Sequence, residues 1–283
     1  MKKQEFNEVK IISSVAVYIL INFFVMLVAF FINEDILDSD IDSLQLISDI
    51  LFILFLFYKF RVTFRKLGNL IRDFIEKLNM KEIINVVFTQ ICISIGTTLL
   101  ILAVFCIIDI DTANSLNSAS NEVFKNTLIS FIVTVIAAPI VEELLFRVVF
   151  FKRLSRIFDV YVGMVISSIL FGILHVELAV VGAVTFGIAN CILYLKYRNI
   201  LIPMTVHFLN NLLASLPMLF SNTASSAEAE LITKSDAYSF LIYGIIIFSI
   251  GLILFIRFII KNRQYIEKDA LDMKVYKFKK GLL

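Results

Sequence analysis

The chain reads as an all-α polytopic membrane protein of about eight transmembrane helices, on three observations. Of its 283 residues 59% are hydrophobic and the mean hydropathy is +0.91, far above the roughly 45–50% apolar share of a soluble domain. Apolar stretches recur from Ile11 to Ile260, many close to the ~20 residues a helix needs to cross about 30 Å of hydrocarbon. Charge also alternates in sign from one gap between stretches to the next. The near balance of 26 Lys and Arg against 24 Asp and Glu leaves nucleic acid without a basic surface to bind, and makes the lipid bilayer the expected partner.

In order, the spans are expected at 11–32, 44–60, 83–108, 126–151, 160–177, 180–195, 199–220 and 237–260. The first follows a basic start, Met1 to Lys10, and ends at Asn33-Glu34 with no small-residue cleavage site, so it is expected to be retained. The stretch Arg61 to Lys81 mixes basic and apolar residues, as an interfacial helix does. The arms of the hairpin 160–195 are short, roughly 15 residues or about 23 Å each, so its turn near Val176 to Val181 need not cross the whole bilayer. With the N-terminus inside, 23 of the 26 cations fall in cytoplasmic gaps, including 261–283, a basic cytoplasmic tail. Across the bilayer lie Lys125 and Lys234 with Glu34, Asp35, Asp38, Asp40, Asp42, Asp109, Asp111, Glu122, Glu228, Glu230 and Asp236. Both termini are therefore expected in the cytoplasm. Residues 1–283 form one integral membrane domain with no repeat, and Cys92, Cys106 and Cys191 lie in apolar stretches without paired spacing.

A buried polar site is expected in the C-terminal half. Glu142, Glu143 and Arg147 interrupt the fourth span, at about 2.5–3.5 kcal/mol each on insertion scales. Glu143 and Arg147 stand at i and i+4 and can pair within the helix, whereas Glu142, rotated about 100° from its neighbour, is left as an unpaired carboxylate suited to proton transfer. The plain alternative is that these charges only hold helices together. Both histidines, His175 and His207, fall within predicted spans; imidazole carries protons and ligates metals, though it also serves as a packing residue. Asn210 and Asn211 follow His207 at i+3 and i+4, placing an amide on its face where it can hold an oxyanion. Pro139 cannot donate to the carbonyl of Val135 and permits a kink, and Gly163, Gly172, Gly182 and Gly187 thin the hairpin's packing. Asp49 and Asn22 read as structural.

In order, Glu142-Glu143-Leu144-Leu145-Phe146-Arg147, Phe171-Gly172-Ile173-Leu174-His175 and His207-Phe208-Leu209-Asn210-Asn211 stand on successive membrane segments. The sequence thereby resembles the CAAX protease and bacteriocin-processing family of intramembrane proteases, which includes the eukaryotic prenyl-protein CAAX endopeptidase and the bacterial Abi proteins. The resemblance covers 126–216, the expected catalytic core. It implies that Glu142 activates the attacking water, that His175 and His207 assist it or hold the site, and that Asn211 stabilises the oxyanion. Glu143 and Arg147 would be the supporting pair.

The reaction implied is hydrolysis of a peptide bond in a membrane-associated protein or peptide precursor. Two chemistries fit: Glu142 as a general base without metal, which is the preferred reading, or Zn²⁺ held by His175, His207 and Glu142, as a metalloprotease. Residue counting places His175 about 22 Å from the cytoplasmic face and Glu142 and His207 about 10–15 Å from it, a mismatch the fold must resolve. The competing readings are a transporter and a non-catalytic scaffold or bacteriocin immunity protein. Richness in Ile, Lys, Phe and Asn without Trp points to an AT-rich genome and so to a bacterial cell membrane.

Overall fold

Among the residues described by the computed structural model, 10–33, 37, 40–122, 128–175, 177–220 and 231–279, all regular structure is helical. The helices are α1 (Ile11–Ile32), α2 (Ile41–Lys59), α3 (Phe64–Lys77), α4 (Met80–Ile108), α5 (Ile110–Glu122), α6 (Leu128–Ile157), α7 (Val160–Ile173), α8 (Val180–Tyr197), α9 (Leu201–Phe220) and α10 (Asp236–Lys279). Six of them, α1, α2, α4, α6, α8 and α10, are long and apolar enough to cross a membrane, and α7 and α9 are shorter apolar helices. Together they are the eight expected segments, and the chain is a polytopic membrane protein. Lys2, Lys3, Glu34, Asp35, Asp38, Lys125, Glu228 and Glu230, which entered the charge pattern, lie outside the described residues, as do Val176 and the last four residues.

α3 is a helix between the second and third spans, where the sequence led us to expect one. Thr63 caps it, accepting from Lys66 N, and it buries Leu70 while Arg65, Lys66 and Arg72 are exposed. The turn between α8 and α9 pins it: Asn199 Nδ2 donates to Leu70 O and to Asp73 Oδ2, both at 2.9 Å, and Lys77 Nζ donates to Tyr197 O at 2.9 Å. Burial opposes ionisation of Asp73, but the Lys77 ammonium and the Asn199 amide outweigh it and hold the carboxyl below the usual range.

Two elements differ from expectation. The polar gap after α4 folds into α5, which Asp109 initiates by accepting from Thr112 N at 3.3 Å and which Asn114 ties to Ile232 through bonds of 2.8 and 3.2 Å. The stretch expected as a tail instead continues α10 to 44 residues in all. Lys, Arg, Gln, Glu, Ala and Leu after Ile260 favour helix, and Arg198 pairs with Asp269 to fasten the extension.

Glycines set the closest approaches. A Cβ at Gly96 would lie 2.5 Å from the backbone nitrogen of Phe248, so α4 and α10 touch backbone to backbone. A Cβ at Gly187 would lie 2.9 Å from Ser168 Cα, which seats α8 on α7 as the hairpin glycines led us to expect. The main core joins Phe52, Leu56, Phe60, Leu144, Val148, Phe171, Phe186 and Val206, and it is into this packing that the polar residues of α6 are set.

Candidate active site

α6 carries the glutamates on one short α-helical piece, Ala138–Glu143, between two π-helical stretches, Val133–Ala137 and Leu144–Phe151. In the first stretch Ala138 N–H bonds to Val133 O, five residues back. In that register the donor to Thr134 would be the nitrogen of Pro139, which bears no hydrogen. Asn211 Nδ2, from α9, donates to Thr134 O instead at 2.9 Å. The carbonyl deprived by Pro139 is thus that of Thr134 rather than Val135, because the helix is widened there. On the other flank Ser167 Oγ of α7 donates to Phe146 O at 2.9 Å.

Glu143 is fully buried and takes donors from three helices. Arg147 Nε lies 2.8 Å from its Oε2 and Arg147 Nη2 lies 3.2 Å from Oε1; Asn190 Nδ2 of α8 reaches Oε1 at 3.0 Å and His207 Nδ1 of α9 at 3.1 Å. Two-point guanidinium pairing and further donors are what a desolvated ion pair requires. Arg147, also fully buried, lies 3.8 Å from Cys191 Sγ through Nη1 and 5.1 Å from the Phe171 ring centroid through Cζ. The intrahelical pair expected from the spacing is present.

His207 stands between the two carboxylates. A carboxylate only accepts, so the bond to Glu143 places a proton on Nδ1, and the opposite nitrogen, Nε2, lies 3.8 Å from Glu142 Oε2. That gap exceeds a direct hydrogen bond and suits a bridging water. Phe186, edge to face at 4.9 Å, and Phe171 at 5.8 Å fix the imidazole plane. Glu142 Oε2 has no hydrogen-bond partner among the described residues, while the side chain as a whole keeps 30% of its surface open. The carboxylate that spacing left unpaired is unpaired in the fold.

His175 follows the end of α7. Its Nδ1 bonds to Phe171 O at 2.8 Å and its ring rests on Phe171 at 4.5 Å, so it shares Phe171 with His207 but bonds to neither Glu142 nor His207. Zinc ligands would have to converge on a point about 2.0–2.2 Å from each; among the described residues no three His, Cys, Asp or Glu side chains do so. His175, His207 and Glu142 thus do not fit as a zinc set in this arrangement. Asn211 Nδ2 carries a second hydrogen that Thr134 O does not take.

Two features, Asn190 and an apolar cleft, escaped the sequence reading, and Asp49 was read there only as structural. Asn190 is fully buried and anchors Glu143, and its only signal was an amide in an otherwise apolar span. Asp49, on α2, accepts from Tyr18 at 3.1 Å and Gln45 at 2.8 Å. A cleft of about 360 Å³ is lined by Phe57, Phe60, Phe74, Pro139, Ile140 and Phe208 among others, beside both Glu142 and His207 in sequence.

Two comparisons with known proteins give matches. The chain is 31% identical over 91 residues to the protein of Bacillus subtilis (strain 168) named "Putative membrane peptidase YdiL", a match covering 32% of this chain and 37% of that protein. The chain thus matches little more than a third of that relative's length. No solved structure matches this chain. The segment that holds Glu142, Glu143, Arg147, His175 and His207, residues 124–213, matches the family described as type II CAAX prenyl endopeptidase Rce1-like, and this is the family to which the ordered motifs point.

Proposed function

We propose that this protein is an intramembrane endopeptidase in which Glu142 activates water against a peptide bond of a membrane-associated protein or peptide precursor. The observation that carries the reading is the unpartnered Glu142 Oε2 held 3.8 Å from His207 Nε2 at the end of the Arg147–Glu143–His207 chain. A water between them gives its proton to Glu142 as its oxygen adds to the scissile carbonyl carbon. Glu143 locks the imidazole with Nδ1 protonated, so Nε2 accepts the water's second hydrogen and aims its lone pair. The free amide hydrogen of Asn211 faces the developing oxyanion. Glu142 then returns its proton to the leaving amine as the C–N bond breaks. His175 acts through Phe171, keeping that ring against His207. The apolar cleft receives a lipid group or an apolar stretch next to the cleaved bond. The protein belongs by this reading in a bacterial cell membrane with both termini cytoplasmic.

The test compares membrane peptides by mass spectrometry between cells carrying the native chain and Glu142→Gln, with and without a chelator. Products that vanish in Glu142→Gln, while the variant accumulates and unfolds normally, support the reading. Identical peptide sets overturn it in favour of a scaffold, and products lost on chelation alone assign the chemistry to a metal.

A further inference from the structure

A second cleft, of about 640 Å³, opens between the start of α4 and the middle of α10, away from the glutamates. Its lining changes character along its length. At one end stand Lys81, Arg257 and Lys261 with Asn79 and Asn85; further along are Val86, Phe88, Leu254 and Phe258. The change falls near where α4 and α10 pass from charged to apolar sequence, at Glu82–Ile83 and at Ile260–Lys261, where the border of the hydrocarbon layer is expected. The three cations are exposed, and none has a hydrogen-bond or salt-bridge partner among the described residues. The acid in the wall, Glu82, is already neutralised: Lys196 Nζ lies 2.6 and 2.7 Å from its oxygens, and Tyr197 donates to it as well. Lys261 also feels the Glu82 carboxylate, but with Lys196 already on Glu82 the cleft keeps a net positive patch of Lys81, Arg257 and Lys261 beside an apolar wall.

We propose that this cleft binds an anionic phospholipid, with its phosphate on Lys81, Arg257 and Lys261 and the first carbons of an acyl chain on Phe88, Leu254 and Phe258. Basic pockets between helices at a membrane border take lipid headgroups in this way, and each cation near an anionic surface adds to the attraction. Asn79 and Asn85 stand beside the cations to take the ester and glycerol oxygens. The site is independent of the hydrolytic reading, since none of its residues touches Glu142, Glu143 or His207.

The test is native mass spectrometry of the full chain in dodecyl maltoside micelles doped with phosphatidylglycerol or phosphatidylcholine. Phosphatidylglycerol is expected to be retained in preference. Lys81→Gln alone should weaken its retention about fivefold and the triple variant with Arg257→Gln and Lys261→Gln at least tenfold, with Lys81→Arg restoring it. Removing equal charge from the exposed face of α3 by Arg65→Gln, Lys66→Gln and Arg72→Gln should leave retention unchanged. Equal losses from the two triple variants would reduce the effect to general surface attraction and overturn the proposal, as would equal retention of phosphatidylcholine. Displacement by glycerol 3-phosphate as readily as by lipid would assign a phosphate site and overturn the lipid.

Discussion

Replacing Arg147 by methionine removes one half of the buried ion pair while sparing Glu142. Glu143 would lose the bonds at 2.8 and 3.2 Å but keep Asn190 at 3.0 Å and His207 at 3.1 Å. Stranding one member of a buried pair costs about 3–5 kcal/mol, and the two surviving donors place Arg147→Met at the lower end, about 3 kcal/mol. Glu143→Gln should cost more, about 4–5 kcal/mol, because the guanidinium loses its counter-charge and keeps only neutral partners, the new amide oxygen, Cys191 Sγ at 3.8 Å and the Phe171 ring at 5.1 Å. The double variant removes both charges, so its loss should fall short of the two single losses combined by at least about 2 kcal/mol. Unfolding of the full chain by dodecyl sulfate in dodecyl maltoside micelles, followed by circular dichroism, measures all three. Additive losses, or less than about 1 kcal/mol for Arg147→Met, would refute the claim that the pair is desolvated and interdependent.

The same assay tests the cross-helix bond to the widened part of α6. Asn211→Ala should cost about 1–3 kcal/mol by leaving the Thr134 carbonyl without a donor, and less in a Pro139→Ala background, where a backbone hydrogen is again available; an undiminished cost would show that Asn211 acts elsewhere. Gly96→Ala should cost about 1–3 kcal/mol or more by pushing α10 off α4, and an unaltered midpoint would contradict the backbone contact at Phe248. For Asp73, the folded carboxyl titrates below its unfolded value, so its ionised form stabilises the attachment of α3 above the unfolded value and the benefit disappears as pH falls through the folded one. The thermal midpoint of the native chain should exceed that of Asp73→Asn slightly at about pH 6 and converge on it below about pH 4; a gap that widens in acid would reverse the sign.

Much of the bundle was legible because hydrocarbon imposes length and apolarity on any crossing helix, and the sign of the gaps then checks the count. The Glu143–Arg147 pair was legible for an equally local reason, their i to i+4 spacing. Asn190 was not, since its partner Glu143 lies 47 residues away and only folding brings them together. Nor was the widening of Leu144–Phe151, because its run of apolar residues is as consistent with an ordinary helix. α5 was missed because its residues are polar on most sides and lean on Leu178 and Ile232 rather than on any repeat of their own. The extension of α10 depends on an ion pair from Arg198 to Asp269, 71 residues apart.

The widened turns of α6 have an implication for biogenesis. Each leaves a carbonyl that is met by a side chain from elsewhere, Thr134 by Asn211 and Phe146 by Ser167, and both donors come later in the chain than the carbonyls they serve. When α6 first enters the bilayer during synthesis, neither is present, and a regular helix is the cheaper form. The arrangement of Glu142, Glu143 and His207 would therefore come into being only after the last of these segments has inserted, and on the function proposed above a half-made chain would have no means of cutting its neighbours.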